Sequence, residues 1–177
     1  AWAALSELIT HEGNPAYTFV ALQETKLASN QAFLQTAKTA FLSLGYYSYF
    51  ECDDLETGRN GVAILTTIRE IPRQQLLRRY HHQGRMVHQG RFLALAFHSF
   101  TFATTYMPFP SDEALSSERR NTYDKDLNHF VSVHKQQSNN PLYMAGDFNI
   151  IISVQDYQAA AQTMLCQRIT ANLMDAD

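Results

Sequence analysis

The sequence predicts an α/β fold in which mixed β-sheets carry helices on their outer faces. The 177 residues are 45% hydrophobic and 12% aromatic, which suits one globular domain with a sizeable core. Strand-like segments outnumber helix-like segments, and several strands follow one another directly along the chain. This order favours mixed sheets covered by helices over a purely parallel sheet.

Four segments repeat apolar residues with the spacing of an amphipathic helix. The second segment runs from Phe33 to Leu44 and ends at Gly45, a residue type that readily adopts the left-handed conformation found at helix ends. "GNP" at 13–15 ends the first segment. The predicted helices span residues 2–12, 31–44, 117–136 and 159–174.

Runs of β-branched and aromatic residues between polar turns predict the strands. Two of these runs would form a hairpin that turns near Ser99. Residues 68–90 are polar and irregular, and we expect a loop there. The predicted strands are "YTFVAL" (17–22), "YYSYFE" (46–51), "GVAILTT" (61–67), "RFLALAFHSF" (91–100), "TFATTYM" (101–107) and "PLYMAG" (141–146).

Charge and cysteine content restrict the partners and the compartment. The net charge is −3, so any contact with nucleic acid would be local. Cys52 and Cys166 lie far apart, without metal-binding or disulfide spacing. This spacing suits a reducing, intracellular compartment, whether nucleus, cytoplasm or organelle. No apolar run has the length of a membrane span, and we expect no membrane partner.

Polar residues follow three of the predicted strands. Glu24 follows the first, Tyr106 lies at the end of "TFATTYM", and Asp147 and Asn149 follow "PLYMAG". Strand ends that share a direction can surround one cleft. Carboxylate and amide oxygens there suit a hard cation such as Mg²⁺, which would polarise a nearby phosphate.

Each of these residues alone has an ordinary explanation. A glutamate at a strand end is usually solvated, "GD" commonly opens a turn, and a tyrosine at a core edge commonly has its hydroxyl in water. Together, Asp147 would orient or deprotonate water, Asn149 would hold Asp147 or a phosphate oxygen, and Tyr106 would donate to the phosphate. The combination and its flanking residues favour a phosphate-cleaving site.

The motifs around these residues resemble those of the endonuclease/exonuclease/phosphatase superfamily. They are "LQETK" (22–26), "GRNGVAIL" (58–65), "GRFL" (90–93), "YMP" (106–108) and "GDFN" (146–149). Within the superfamily, the chain resembles exonuclease III-type apurinic/apyrimidinic endonucleases and the endonuclease domains of LINE-type retrotransposons. The resemblance implies a DNase I-like fold, a four-layer αββα sandwich of two mixed sheets, partly incomplete in this chain.

The resemblance also implies roles for the four residues. Glu24 matches the glutamate that binds the divalent metal, Mg²⁺ or Mn²⁺. Asp147 and Asn149 match the pair that positions the attacking water and the phosphate, and Tyr106 matches the tyrosine that contacts the phosphate. The implied reaction is hydrolysis of a DNA phosphodiester that leaves a 3′-hydroxyl, beside an abasic site or at a retrotransposon target.

The sequence departs from the family pattern in three places. Family members have a strand before the first helix and, after the last motif, further strands with an "SDH" motif that supplies an Asp–His pair. Residues 1–177, read as a single domain, lack both. Phe109 also stands where the family has asparagine. We expect little cleavage from this segment alone, and activity if the full-length protein supplies the Asp–His pair.

Arginine is concentrated in residues 69–91, where Glu70 is the only acidic residue. Such a cluster either binds a nucleic-acid backbone in a salt-dependent manner or forms a solvated loop. The predicted nucleic-acid contacts are Arg78, Arg79, Arg85 and, beyond the following loop, Arg119.

Three functions remain open from the sequence. The first is a Mg²⁺-dependent DNA phosphodiesterase. The second is a phosphatase or phospholipase of the same superfamily, although "LQETK" favours the nuclease branch. The third is a catalytically degenerate module that binds DNA, RNA or a larger nucleoprotein complex. The reading frame on both sides of residues 1–177 would discriminate the first from the third.

Overall fold

The computed structural model describes residues 2–27, 31–53, 60–77, 81–82, 85–86, 88–109 and 114–150. These residues form three helices, seven principal strands and two short antiparallel pairs. The principal elements are α1 (Trp2–Ile9), β1 (Phe19–Gln23), α2 (Gln31–Ser43), β2 (Tyr47–Glu51), β3 (Val62–Thr66), β4 (Arg73–Gln75), β5 (Phe92–Ala96), β6 (Thr101–Tyr106), α3 (Ala114–Gln137) and β7 (Leu142–Asp147).

The principal strands form a three-stranded and a four-stranded sheet. In the first sheet, β3 lies between β1 and β2 and is antiparallel to both. The second sheet has the order β7-β6-β5-β4. There β6 is antiparallel to β5 and parallel to β7, so this sheet is mixed.

An apolar layer between the two sheets holds them together. β3 and β5 direct alternate side chains into it, as the two-residue period of a strand requires. The fully buried members are Val62, Ile64, Leu93 and Leu95. In the same layer, Phe19 of β1 stacks on Phe102 of β6, with ring centroids 4.4 Å apart. The two sheets therefore pack face to face.

Helices cover the two outer faces. On the three-stranded sheet, Phe41 of α2 packs in one cluster with Leu65 of β3. On the four-stranded sheet, α3 buries Tyr123, and the ring of Phe130 lies 4.9 Å from that of Phe92. The layers therefore run helix, sheet, sheet, helix, and the predicted DNase I-like αββα sandwich is confirmed.

Three segments differ from the sequence prediction, one of them being the short antiparallel pair of His81–His82 and Arg85–Met86 within the expected loop. The first helix ends at Ile9, because Thr10–His11 turns back to pair with Asn14–Pro15. Arg73–Gln75, expected in a loop, forms the edge strand β4 beside β5. Its three residues are polar and show no apolar alternation. An edge strand pairs through its backbone, so this strand could form without such a pattern.

The remaining predicted elements agree with the structure to within a few residues. The predicted hairpin around Ser99 is the β5–β6 pair. The helix predicted over residues 159–174 lies outside the described residues. Among the helices that the structure describes, none is both long and apolar enough to cross a membrane.

Gly146 allows β7 to approach β6 closely. Its φ is +152°, and a Cβ atom there would overlap the carbonyl oxygen of Thr105 and lie 2.8 Å from its amide nitrogen.

We expect Gly146→Ala to lower the free energy of unfolding by about 2–4 kcal/mol, through overpacking and backbone strain. Gly13→Ala is the control, because its φ of +78° is also positive but its Cβ would meet nothing within 4 Å. We expect Gly13→Ala to lower the free energy of unfolding by about 1 kcal/mol. Equal losses in urea denaturation would contradict the close approach.

Tyr123 attaches α3 to the strands of the second sheet. Its hydroxyl lies 2.6 Å from Thr105 Oγ1 and donates to the carbonyl oxygen of Arg91 at 3.0 Å. Burial raises the pKa of Tyr123 above the ordinary value of 10.0, although the hydrogen bond to Thr105 opposes the shift. The neutral phenol is favoured because the phenolate would lose its hydration.

The raised pKa predicts a decline in stability at alkaline pH. The folded protein holds this proton more tightly than the unfolded chain. The stability that the Tyr123 hydroxyl contributes is therefore complete below pH 10.0, and it decreases above that pH by up to about 1.4 kcal/mol per pH unit. Tyr123→Phe should make the stability decline less steeply above about pH 10. It should also cost about 1–2 kcal/mol at neutral pH because two hydrogen bonds are removed. Denaturation at several pH values measures both effects, and an unchanged alkaline decline would contradict the assignment.

Candidate active site

The parallel pairing of β6 and β7 brings two predicted site residues to one edge of the four-stranded sheet. Tyr106 is the register partner of Asp147. From the other sheet, β1 ends beside them, and Gln23 Nε2 donates to Thr104 Oγ1 at 2.9 Å. Glu24 follows immediately, so the ends of three strands meet at this edge.

A hydrogen bond joins two of the predicted residues across the sheets. The Tyr106 hydroxyl donates to Glu24 Oε1 at 2.7 Å. The ammonium group of Lys26 lies 3.5 Å from the other carboxylate oxygen, Oε2. The Glu24 side chain is 46% exposed, so this carboxylate is partnered but accessible to solvent.

The backbone of the "LQETK" segment is held in a strained conformation. Glu24 and Lys26 have φ values of +52° and +54°, which are uncommon for residues with a Cβ and cost about 1–2 kcal/mol each. The amide of Thr25 donates to the carbonyl of Gly61 at 3.0 Å, and that of Lys26 to Asn60 at 2.8 Å. A Cβ atom at Gly61 would overlap Thr25 Oγ1. Gly61 of "GRNGVAIL" therefore leaves the space in which the strained "LQETK" segment packs.

Arg91 supports Tyr106 from the opposite side. Its Nη1 donates to the carbonyl oxygen of Tyr106 at 3.2 Å, and its Cζ lies 5.0 Å from the centre of the tyrosine ring. Partial burial and the hydrogen bond to Glu24 raise the pKa of Tyr106 above 10.0, while the positive charge of Arg91 opposes the shift. The hydroxyl therefore stays protonated at neutral pH and acts as a donor.

Asp147 and Asn149 form a turn that is tied to the end of β6. The amide of Asn149 donates to Asp147 Oδ1 at 2.9 Å, and its side-chain Nδ2 donates to the carbonyl of Met107 at 2.7 Å. The amide of Met107 in turn donates to the carbonyl of Asp147 at 2.9 Å. The side chain of Asn149 thus holds the segment after Tyr106, and its backbone contacts Asp147.

The donor chemistry of this edge fits a hydrated hard cation. Glu24 and Asp147 provide carboxylate oxygens, and Mg²⁺ or Mn²⁺ needs only one or two of these when it keeps its waters. Within the described part of the chain, no group of three or more His, Cys, Asp or Glu side chains could hold a metal ion. A multi-ligand site of the structural zinc type is therefore not formed by these residues.

The structure describes only part of the predicted nucleic-acid surface. Arg78 and Arg79 lie outside the described residues. Arg85 lies in the two-residue strand Arg85–Met86, and its side chain is not described. Arg119 is exposed on α3, and its charge contributes to the lowered pKa of Arg91, which burial causes mainly.

The sequence prediction missed the contacts of Arg91 with Tyr106 and a second, buried pair. Arg91 lies in the motif "GRFL", whose short pattern gives no sign of a tyrosine partner. His88 Nε2 lies 2.7 Å from Asp126 Oδ2, and the histidine side chain is only 2% exposed. These two residues are 38 positions apart, and no local pattern connects them.

Comparison with known proteins identifies the family of the chain. The model of the Endonuclease/Exonuclease/phosphatase family matches residues 3–166. A DNA-(apurinic or apyrimidinic site) endonuclease of Plasmodium falciparum is 32% identical over 62 residues, which are 35% of this chain and 10% of that protein. The matched segment thus covers a tenth of the length of this relative.

Two solved structures have a similar fold. A 3′ phosphatase from Neisseria bound to a product DNA hairpin aligns with a TM-score of 0.66 and 18% identity, covering 86% of this chain and 54% of that one. A 3′–5′ exonuclease from Neisseria meningitidis aligns with a TM-score of 0.63 and 18% identity, covering 84% and 53%. This chain therefore spans about half the length of each. The fold and the match of the family model over most of the chain establish that it belongs to the endonuclease/exonuclease/phosphatase family.

Proposed function

We propose that this chain carries a metal-dependent site that hydrolyses phosphate esters in DNA. The observation that carries the proposal is the hydrogen bond from Tyr106 to Glu24 at the edge where Asp147 is paired with Tyr106. A relative named as an apurinic or apyrimidinic site endonuclease and a neighbour bound to a DNA hairpin support DNA as the substrate.

The side chains supply complementary parts of the hydrolysis. Glu24 and Asp147 would hold the Mg²⁺ or Mn²⁺ ion, which supplies positive charge at the phosphate when bound. Tyr106, protonated at neutral pH, would turn its hydroxyl from Glu24 to a non-bridging phosphate oxygen as negative charge develops there. Asp147 orients the attacking water and accepts its proton. The new bond forms between the water oxygen and phosphorus, the bond to the 3′ oxygen breaks, and that oxygen takes up a proton.

The buried His88–Asp126 pair does not act as the base. Its histidine side chain is 2% exposed and bonded to the carboxylate, so water at the Tyr106 edge does not reach it. Proton abstraction is therefore assigned to Asp147. An Asp–His pair supplied by the full-length protein, as the family resemblance implies, would share this task.

A second candidate function is a catalytically inactive module that binds nucleic acid within a larger complex. One observation favours it: the ammonium of Lys26 lies 3.5 Å from the carboxylate of Glu24. This cation competes with a metal ion for the same oxygen. The two functions differ in whether the protein binds Mn²⁺ at Glu24.

Removing the carboxylate charge tests the metal site. We expect Glu24→Gln to weaken Mn²⁺ binding by at least about 10-fold and hydrolysis of abasic-site duplex DNA by at least about 10²-fold, as removal of a group that supports a metal does. Asp147→Asn should do the same. Calorimetry measures the binding, and a gel assay of the longest reading frame containing residues 1–177 measures the hydrolysis.

Glu7→Gln is the matched control, because Glu7 is exposed on α1 and the chemical change is the same. It should alter neither measurement. Unchanged Mn²⁺ affinity in Glu24→Gln would place any metal elsewhere. A wild-type protein that binds DNA but neither binds Mn²⁺ nor hydrolyses DNA would favour the inactive module.

Charge reversal tests the basic cluster. We expect Arg78→Glu with Arg79→Glu to weaken DNA binding and to flatten its logarithmic salt dependence by about 0.9 for each phosphate that the protein no longer neutralises. Lys38→Glu with Lys135→Glu is the control, since both lysines are exposed on helices and the total charge change is equal. An unchanged salt slope in the arginine variant would assign these residues to a solvated loop.

A further inference from the structure

The side chain of Arg120 bridges the segments that follow β6 and β7. It lies in the second turn of α3 and is only 12% exposed. Its Nη1 donates to the carbonyl oxygen of Pro108 at 3.1 Å and to that of Asn149 at 3.2 Å. One cation therefore links the residue two positions after Tyr106 to the residue two positions after Asp147.

A second contact fixes the direction of the guanidinium. Arg120 Nε lies 2.9 Å and 3.1 Å from the two carboxylate oxygens of Asp124, one helical turn away. The planar fork of arginine can make these contacts and the carbonyl contacts together, whereas the single ammonium of lysine cannot reproduce that geometry. Nε and Nη1 of Arg120 are thus both used in contacts within the protein.

The Arg120 bridge contacts the segments that follow Tyr106 and Asp147, the residues proposed to act on the phosphate. The carbonyl of Asn149 accepts from Arg120, while its amide donates to Asp147 and its side chain donates to Met107. Movement of this turn would displace the carboxylate of Asp147 relative to Tyr106, because Asp147 Oδ1 accepts from the amide of Asn149. Displacement of a reacting group by about 1 Å can cost about 10² in rate.

We propose that Arg120 is a positioning residue that holds Asp147 and Tyr106 in their relative geometry by bridging Pro108 and Asn149. The proposal rests on the hydrolytic function for its effect on rate, but the bridge itself can be tested without hydrolysis. The neighbouring Arg119 is exposed on the same helix, so its side chain points to solvent and serves as the comparison.

Amide hydrogen exchange tests the bridge directly. In Arg120→Gln, we expect the amides of Asn149 and Met107 to exchange at least about 10-fold faster, since a hydrogen bond to a charged group contributes about that factor. Arg120→Lys should have an intermediate effect, and Arg119→Gln should leave both amides unchanged. Equal exchange in Arg120→Gln and wild type would overturn the bridge. If Arg120→Gln does not fold, Arg120→Lys decides the same comparison.

Steady-state kinetics on abasic-site duplex DNA test the effect on the reaction. We expect Arg120→Gln to lower kcat by about 10² with little change in KM. Arg119→Gln should show the opposite pattern, a raised KM with a flatter salt dependence. Faster exchange with an unchanged kcat in Arg120→Gln would overturn the positioning role. If the wild-type protein hydrolyses no DNA, the proposed function fails, and the exchange rates alone decide whether the bridge exists.

Discussion

The parallel pairing of β6 with β7 is the constraint on which the candidate site depends. Only parallel strands bring their carboxyl ends to the same edge of a sheet, and here the final pair is Tyr106 with Asp147. A parallel pair needs a long connection, which α3 provides while covering the outer face of the sheet. The helix that completes the packing therefore also carries Arg120 to the strand ends.

The second constraint is the apolar layer between the sheets, because it sets the distance between Glu24 and Tyr106. These residues belong to different sheets, and their hydrogen bond forms only when the sheets are packed. Three of the four non-glycine residues with positive φ in the described part of the chain are Glu24, Lys26 and Asn149. Strain of this kind persists only where the surrounding structure holds it, and it concentrates at functional sites.

The sequence was sufficient for most elements and for placing Glu24, Tyr106, Asp147 and Asn149 at strand ends, because both depend on local patterns. Alternating apolar residues predict β3 and β5, and strand ends predict where polar side chains converge. The edge strand Arg73–Gln75 was missed, since its pairing is made by the backbone and requires no side-chain pattern. The contacts of Arg91 and Arg120 were missed for a related reason: both side chains bind main-chain carbonyls, which every residue possesses.

The charges around Tyr106 and Glu24 explain how the edge can be organised before a metal or a phosphate arrives. Arg91 contacts the ring and the carbonyl of Tyr106, Tyr106 donates to one oxygen of Glu24, and Lys26 lies near the other. Lys26 thus places one positive charge beside the carboxylate of Glu24. A divalent cation bound there would place two. Because Lys26 is 58% exposed, it can withdraw to water at little cost. A cation entering the site would therefore replace a mobile charge while Tyr106 and Glu24 keep their places, and such preorganisation lowers the reorganisation that the reaction requires.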